Sequence, residues 1–193
     1  MILFLGAHPD DIELGCGGSV SKTEDDKIGV TFTCQSDFKH MKEEMLNSWK
    51  ILGLQYKEVK QDFKHRQFDR QELLDTLITL RDEYKPRLVL THSSFDIHQD
   101  HRVIHEETVR AFKHVSILGY NLEWNNVGQN NFPFYVTLTA DNVNAKIQSL
   151  ACYKSQWNRT YFDSAYQRAQ LIVNGQQCGS TWAEKFEVIR WIE

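Results

Sequence analysis

Short apolar runs alternate with amphipathic segments along most of this 193-residue sequence, and this alternation constrains the fold more than any other feature. The runs are of strand length and lie at 2–7, 28–34, 56–59, 87–93, 116–122, 134–139 and 186–191. The amphipathic segments carry apolar residues at helical spacing and lie at 41–54, 68–84, 98–114, 141–156 and 161–172. Because strands that alternate with helices are typical of an α/β fold, we predict that class with a mostly parallel sheet.

Length and composition are those of one globular domain. Domains usually have about 50 to 250 residues. Hydrophobic residues make up 41% of the chain and charged residues 25%, which is typical of folded rather than disordered proteins. Only three prolines and ten glycines are present, and they form no linker-like stretch. We therefore predict a single domain over residues 1–193.

The charge balance limits the kind of partner that the protein is expected to bind, and the cysteine pattern indicates the redox state of its thiols. Lys and Arg number 22 against 26 Asp and Glu, so the net charge is −4 and a nucleic-acid partner is not expected. No apolar run approaches the roughly 20 residues that span a bilayer, and the first residues do not resemble a signal peptide. Four scattered cysteines without a CxxC pair are typical of reduced thiols. We expect a cytoplasmic protein with a small-molecule substrate and leave its oligomeric state open.

Two polar clusters directly follow the first and fourth predicted strands. Residues 8–13 (HPDDIE) follow the run 2–7, and residues 96–101 (DIHQDH) follow the run 87–93. Ordinary turns favour Asp, Asn, Ser and Gly, but they have no special need for His beside paired Asp. In open α/β sheets, ligands bind beyond the carboxyl ends of the strands. We therefore predict one site at the carboxyl ends of strands 1 and 4.

A divalent metal ion would explain why imidazoles and carboxylates are concentrated there. Zinc accepts imidazole nitrogen and carboxylate oxygen, and catalytic zinc sites use three protein ligands and a water. His8 and Asp11 could bind one ion from the first cluster, and His101 could complete the set from the second. The ion would lower the pKa of its bound water to about 7, which makes hydroxide available at neutral pH.

The remaining polar side chains of the two clusters could move protons. Asp10 is adjacent to a predicted ligand and could act as general base. His98 lies one helical turn before His101 and could contact a developing oxyanion or the leaving amine. Asp100 could hold one of the imidazoles in the correct tautomer. Asp96 could cap the following helix, contribute to the site, or do both.

Two sequence signatures resemble those of a known family. AHPDDIELGCGG, at residues 7–18, resembles the AHPDDxE signature of the PIG-L/LmbE-like zinc N-deacetylases. DIHQDHR, at residues 96–102, resembles that family's second signature, DxHxDH. Weaker similarities lie at Ser155-Gln156 and at residues 183–186, so the resemblance extends over nearly the whole chain.

The resemblance implies a Rossmann-like, three-layer α/β fold that hydrolyses the acetamide of an N-acetylglucosamine-type amino sugar or its conjugate. The implied metal ligands are His8, Asp11 and His101. The expected ion is Zn²⁺, with Fe²⁺ or Co²⁺ as alternatives. Asp10 would be the general base. His98 would polarise or protonate the tetrahedral intermediate, and Asp100 would be its supporting carboxylate.

The sequence departs from the family pattern at two places. Gln99 stands where many relatives have proline, which affects only the stiffness of the loop. Relatives often carry a substrate-contacting arginine three residues before a glutamate on the helix after the second strand. Aligned on Glu44, this position is Met41, and His40 or Lys42 could substitute for the arginine.

Substrate contacts are predicted for two further residues. Asp96 is a candidate because it opens the second cluster. Trp124 is a candidate because residues 123–133 combine aromatic rings with four asparagines, a composition suited to sugar rings in a loop at a strand end. His65 and His114 are expected at the surface.

Other functions are compatible with parts of this pattern. The same fold could hydrolyse an N-formyl group, a nucleotide sugar or a thiol conjugate. A non-haem iron oxygenase also uses two His and one carboxylate, but its HxD form belongs to all-β barrels. A sugar- or nucleotide-binding module without chemistry is a third alternative, although such a module needs no base beside a metal ligand.

Overall fold

A computed structural model describes residues 1–33, 38–59, 63–126 and 131–193. Its strands are β1 (Ile2–Gly6), β2 (Lys27–Thr31), β3 (Gln55–Tyr56), β4 (Leu88–His92), β5 (Ser116–Tyr120), β6 (Phe134–Thr137) and β7 (Ala183–Arg190). Its helices are α1 (Asp11–Lys22), α2 (Lys42–Leu52), α3 (Arg70–Tyr84), α4 (Gln99–Ala111), α5 (Ala140–Leu150) and α6 (Ser164–Gln177).

The seven strands form one sheet in the order β3-β2-β1-β4-β5-β7-β6. Strands β1 to β5 pair in parallel, whereas β7 pairs antiparallel with both β5 and β6. The predicted α/β class with a mostly parallel sheet is therefore confirmed.

Helices cover both faces of the sheet because its central strands are apolar on both sides. In β1, the side chains of Ile2 and Phe4 point into one core cluster and those of Leu3 and Leu5 into the other. The first cluster includes side chains from α1, α2 and α5, and the second includes side chains from α3 and α4. The result is a three-layer arrangement, and a continuous apolar run is what a strand buried on both faces requires.

Several predicted boundaries differ from those of the structure. The predicted strand 28–34 ends at Thr31, and Cys34 lies outside the described residues. The helix predicted at 161–172 begins at Ser164 because Asp163 caps it, accepting hydrogen bonds from the amides of Ala165 and Tyr166. It continues to Gln177, and the last strand covers residues 183–190 rather than 186–191.

The ends of β1 and β4 lie side by side and lead into the two polar clusters. The pairing of these two strands is parallel, so their carboxyl ends reach the same edge of the sheet. Helix α1 starts at Asp11, a few residues after β1, and α4 starts at Gln99 after β4. Among the described residues, no helix has the length and hydrophobicity needed to cross a bilayer.

Candidate metal centre and active site

His8, Asp11 and His101 converge beyond the ends of β1 and β4. Nδ1 of His8 lies 3.1 Å from Nε2 of His101 and 3.5 Å from Oδ2 of Asp11. Nε2 of His101 lies 3.4 Å from Oδ1 of Asp11. All three residues are buried, and they form one of the described groups of side chains that could hold a metal ion.

These separations fit a tetrahedral metal site. Zinc binds its protein ligands at about 2.0–2.2 Å, so the edges of a tetrahedral ligand set measure roughly 3.3–3.6 Å. The two ring nitrogens lie 3.1 Å apart, and the Asp11 carboxylate places Oδ1 3.4 Å from His101 and Oδ2 3.5 Å from His8, which is close to these edge lengths. Two imidazoles and one carboxylate are also a donor set that zinc accepts. The residues present therefore fit the group that the sequence predicts.

Two further carboxylates contact these imidazoles at the ring nitrogen that faces away from the predicted metal position. Oδ2 of Asp96 lies 2.8 Å from Nδ1 of His101, on the opposite side of the ring from Asp11. Oδ2 of Asp100 lies 3.0 Å from Nε2 of His8. A carboxylate at the outer nitrogen fixes the tautomer and leaves the inner nitrogen free to bind a metal.

The surroundings of the two imidazoles favour positive charge. Burial alone would lower the pKa of His8, but Asp11 and Asp100 raise it to about 9. Burial also works against a charged His101, yet Asp11 and Asp96 raise its pKa to about 10. A cavity that stabilises cations at these nitrogen atoms is also electrostatically suited to a divalent metal ion.

Asp10 and Asp11 are neighbours in the chain but lie in opposite electrostatic environments. Burial and the adjacent Asp11 hold the pKa of Asp10 well above its ordinary value. Burial opposes ionisation of Asp11, but the imidazoles of His101 and His92 hold its pKa well below the ordinary value. Asp10 also has a left-handed backbone, with φ of 104°, which is uncommon for any residue other than glycine. When the environments of two neighbouring carboxyl groups push their pKa values apart, one typically exchanges protons in catalysis and the other stays ionised.

His98 caps α4 with its side chain. Its Nδ1 accepts a hydrogen bond from the Asp100 amide at 3.2 Å. Burial, together with the nearby His101, lowers the pKa of His98 to about 4, so the ring is neutral. A neutral ring whose Nδ1 accepts carries its proton on Nε2. The ring borders the cavity and can donate one hydrogen bond there.

Two histidines that the sequence analysis did not assign to the site also lie there. His92, at the end of β4, is fully buried and stacks on His101 with ring centroids 3.8 Å apart. Burial and the charge of His101 lower the pKa of His92 to about 4. His65 was expected at the surface, but it borders the cavity, and its Nδ1 lies 2.7 Å from Oδ2 of Asp100. The position of His92 at a strand end was an available signal, whereas no pattern in the sequence marks His65.

A cavity of about 470 Å³ opens above the predicted ligands. Trp124 borders it, is 36% exposed, and stacks on Tyr161 with ring centroids 4.1 Å apart. Asp96, the other predicted substrate contact, is only 2% exposed and does not border the cavity. Its Oδ1 accepts from the His98 amide at 2.8 Å. Residues 127–130 of the predicted sugar-binding loop lie outside the described residues.

The position where the family resemblance implies an arginine is occupied by the apolar residue Met41. Glu44, three residues later, forms hydrogen bonds with Ser155. Met41 borders the cavity and is 2% exposed. Glu44 turns to Ser155, whose amide and hydroxyl donate to its two carboxylate oxygens at 3.0 and 2.6 Å. The Ser155-Gln156 segment therefore anchors α2, and Gln156 itself borders the cavity.

The fold is α/β, with a group of His and Asp side chains at the carboxyl ends of its parallel strands. The chain belongs to the GlcNAc-PI de-N-acetylase (PIG-L) family, whose sequence model matches residues 3–112. The resemblance noted in the sequence is thereby confirmed.

Comparisons with individual proteins agree with the family assignment. The chain is 31% identical over 135 residues to the uncharacterized deacetylase YaiS of Escherichia coli K12, covering 62% of this chain and 72% of YaiS. The fold is similar to that of N,N'-diacetylchitobiose deacetylase from Pyrococcus horikoshii, with a TM-score of 0.76, 17% identity, and coverage of 97% and 83% of the two chains. The fold is also similar to that of GalB, a 4-carboxy-2-hydroxymuconate hydratase from Pseudomonas putida KT2440, with a TM-score of 0.79, 16% identity, and coverage of 100% and 98%. The fold alone therefore does not select the reaction.

Proposed function

We propose that this chain is a metal-dependent N-deacetylase that hydrolyses the N-acetyl group of an N-acetylglucosamine-type amino sugar or its conjugate. The observation that carries the proposal is the convergence of His8, Asp11 and His101 within 3.5 Å of one another, with Asp10 and His98 bordering the same cavity. Membership of a deacetylase family supports the same reaction.

His8, Asp11 and His101 would hold the ion. Zn²⁺ suits this donor set, and Fe²⁺ or Co²⁺ are the alternatives that similar ligands accept. When bound, such an ion polarises a carbonyl group and makes water a nucleophile near neutral pH. Asp96 and Asp100 would orient the rings of His101 and His8, so we propose that Asp96 positions a ligand and does not contact the substrate.

Asp10 would act as the general base and then as the acid. It borders the cavity next to Asp11, and its raised pKa describes a carboxyl that accepts a proton readily. In the reaction, water loses a proton to Asp10 as its oxygen bonds to the amide carbon. The C–N bond then breaks, and the same proton passes from Asp10 to the leaving amine, giving acetate and a free amino sugar.

His98 would stabilise the negative charge that develops on the amide oxygen. Its neutral ring is held by the hydrogen bond from the Asp100 amide, so Nε2–H is the group left to donate. A fixed donor at a developing oxyanion typically accounts for about 10²–10³ in rate. The stacked rings of Trp124 and Tyr161 would provide an apolar face for the sugar.

The test is a screen of N-acetylated sugars and nucleotide sugars for acetate release, with and without a chelator. We expect acetate from at least one amino sugar, loss of activity with the chelator, and recovery when Zn²⁺ is restored. N-formyl and thiol-conjugated amino sugars belong in the same screen, since the proposed site does not distinguish them. Release of neither acetate nor formate from any of these compounds would contradict the proposal.

Metal content provides a separate test of the ligand assignment. We expect His101→Ala to lose the bound metal, whereas Asp10→Asn retains it. Full metal occupancy in purified His101→Ala, measured by mass spectrometry, would refute the assignment even if the enzyme deacetylates sugars.

A further inference from the structure

A second group of side chains that could hold a metal ion lies next to the proposed catalytic ligands. It consists of His8, His65, His98 and Asp100, whose possible ligand atoms all lie within 4.8 Å of one another. Nε2 of His8 lies 3.2 Å from Nδ1 of His65 and 3.0 Å from Oδ2 of Asp100, and the latter two atoms are 2.7 Å apart. His8 belongs to both groups, because its Nδ1 faces His101 while its Nε2 faces the second group.

A tight turn holds His65 against Asp100. Lys64 and Gln67 form a β-bridge, and the amide of Arg66 between them donates to both carboxylate oxygens of Asp100, at 3.0 and 3.1 Å. Arg66 has a left-handed backbone with φ of +64°, which is uncommon for this residue type. The side chain of Asp100 is only 2% exposed, so it cannot swing away from the turn into solvent. The turn therefore places Nδ1 of His65 beside the carboxylate before any ion binds.

A metal ion satisfies this three-way contact better than protons do. The two ring nitrogens lie 3.2 Å apart and both face one carboxylate oxygen, so an N–H group on each would bring two like partial charges together. A metal ion replaces these protons, because its ligands bind in their deprotonated form and release protons to solvent. Imidazole nitrogen suits Zn²⁺, Co²⁺, Ni²⁺ and Cu²⁺, whereas Mg²⁺ and Ca²⁺ prefer oxygen ligands.

We propose that His8, His65, His98 and Asp100 form a second, inhibitory site for a divalent ion such as Zn²⁺, which fills when the ion is in excess. An ion can reach the site from the cavity, because His65 and His98 border it and the side chain of His65 is 25% exposed. The second site is the weaker one, since His8 must give up its Nε2 proton and then bind two cations through one ring.

The second ion would inhibit rather than assist the reaction. Zinc–nitrogen bonds of about 2.0–2.1 Å at both nitrogens of the His8 ring would place the two ions roughly 6 Å apart. Metal pairs that act together on one substrate lie about 3.5–4 Å apart. The second ion would also bind His98, which the proposed reaction needs as a donor to the amide oxygen. Inhibition therefore rests on the proposed deacetylase function, whereas binding of the second ion does not.

Metal counting tests the second site without a substrate. Metal-free protein is titrated with Zn²⁺ by isothermal titration calorimetry, and we expect two ions per chain, the second bound more weakly. His65→Gln should bind one ion, and its amide can still donate to Asp100, so a folding defect is not expected. His40→Gln is the matched control and should bind two, because His40 borders the same cavity but belongs to none of the possible ligand groups among the described residues. One ion in the parent chain, two in His65→Gln, or one in His40→Gln would overturn the proposal.

Kinetics then tests whether the second ion inhibits. Acetate release is measured as Zn²⁺ rises above one equivalent, and each variant is normalised to its own activity at one equivalent. We expect His65→Gln to raise the half-inhibitory Zn²⁺ concentration by at least the 10- to 100-fold that loss of an outer metal contact typically costs. An equal half-inhibitory concentration in the parent chain and in His65→Gln would overturn the inhibitory role.

The two experiments separate failure of this inference from failure of the deacetylase proposal. Two ions in the parent chain and one in His65→Gln support the second site even if no acetate is ever released. Acetate release by a chain that binds a single ion would overturn the second site and leave the deacetylase proposal standing.

Discussion

The carboxylate of Asp96 lies 2.8 Å from Nδ1 of His101, whose Nε2 faces Asp11 at 3.4 Å. The imidazole thus lies between two carboxylates, and the carboxylate of Asp96 sets its tautomer. We predict that Asp96→Asn lowers metal affinity by about 10- to 100-fold, because such outer partners orient the ligand and raise its basicity. Equilibrium dialysis against Zn²⁺ measures the change, and Asp141→Asn, at an exposed position, is the control. Equal affinity in both variants would contradict the positioning role.

Asp10→Asn tests the general base without disturbing the backbone. Asparagine tolerates a left-handed conformation, so it is preferable to alanine at a residue with φ of 104°. We predict that kcat falls by about 10²–10⁴, the usual contribution of general acid–base catalysis, while metal content is unchanged. Steady-state kinetics and metal analysis of the same preparation check both parts. Activity within a few-fold of the parent enzyme would exclude Asp10 as the base.

His98→Asn separates the helix cap from the proposed oxyanion contact. Asparagine can still accept the Asp100 amide proton and cap α4, but it removes the imidazole from the cavity. We predict a loss of about 10²–10³ in kcat with little change in thermal stability. If His98→Asn instead unfolds at a much lower temperature and retains its kcat, the residue acts only as a cap.

The sequence reveals a site best where short polar clusters directly follow buried strands. The apolar runs before His8 and Asp96 indicate strands buried on both faces, and parallel pairing brings their ends together. The proximity of His8, Asp11 and His101 follows from this topology. Their roles as metal ligands, like the roles of Asp10 and His98, remain predictions.

Other features depend on contacts between residues far apart in sequence. Asp100 was expected to support His98, yet its carboxylate contacts His8 and His65, while only its amide contacts His98. His65 lies 35 positions from Asp100, in a segment without helical or strand periodicity. Alternation of strands and helices likewise does not specify that β7 inserts antiparallel between β5 and β6. Local pattern determines the elements, whereas tertiary packing determines these partners.

Gly15 is required by the close approach of α1 to β5. A Cβ atom at this position would lie 2.2 Å from Cδ2 of Tyr120, a fully buried ring whose hydroxyl donates to the Leu5 carbonyl at 2.8 Å. We predict that Gly15→Ala lowers the free energy of unfolding by about 1–3 kcal/mol, because neither the helix nor the anchored ring can move freely. Urea denaturation measures the loss, with Ser21→Ala in the same helix as the control. Gly15→Ala of unchanged stability would mean that α1 has room to shift.

A buried ion pair lies beside the break in α1, where Cys16 departs from helical geometry. Nζ of Lys146 lies 2.7 Å from Oε1 of Glu184 and also donates to the Leu14 carbonyl at 2.8 Å, just before the break. The Glu184 oxygens accept from the amides of Gly18 and Ser19, at 2.9 and 2.7 Å, just after it. The pair therefore satisfies backbone groups that the broken helix leaves without helical partners.

Replacing one member of the Lys146–Glu184 pair should destabilise the fold by more than the loss of their mutual attraction. We predict that Lys146→Met lowers the free energy of unfolding by about 3–5 kcal/mol, because Glu184 becomes a buried charge without its cation. Lys146→Met combined with Glu184→Gln should be less destabilised than the sum of the single variants, since the neutral amide no longer needs a cation. A double-mutant cycle by urea denaturation measures this coupling. If the changes in the free energy of unfolding caused by the two single substitutions add up to that of the double variant, the two side chains act independently at the break.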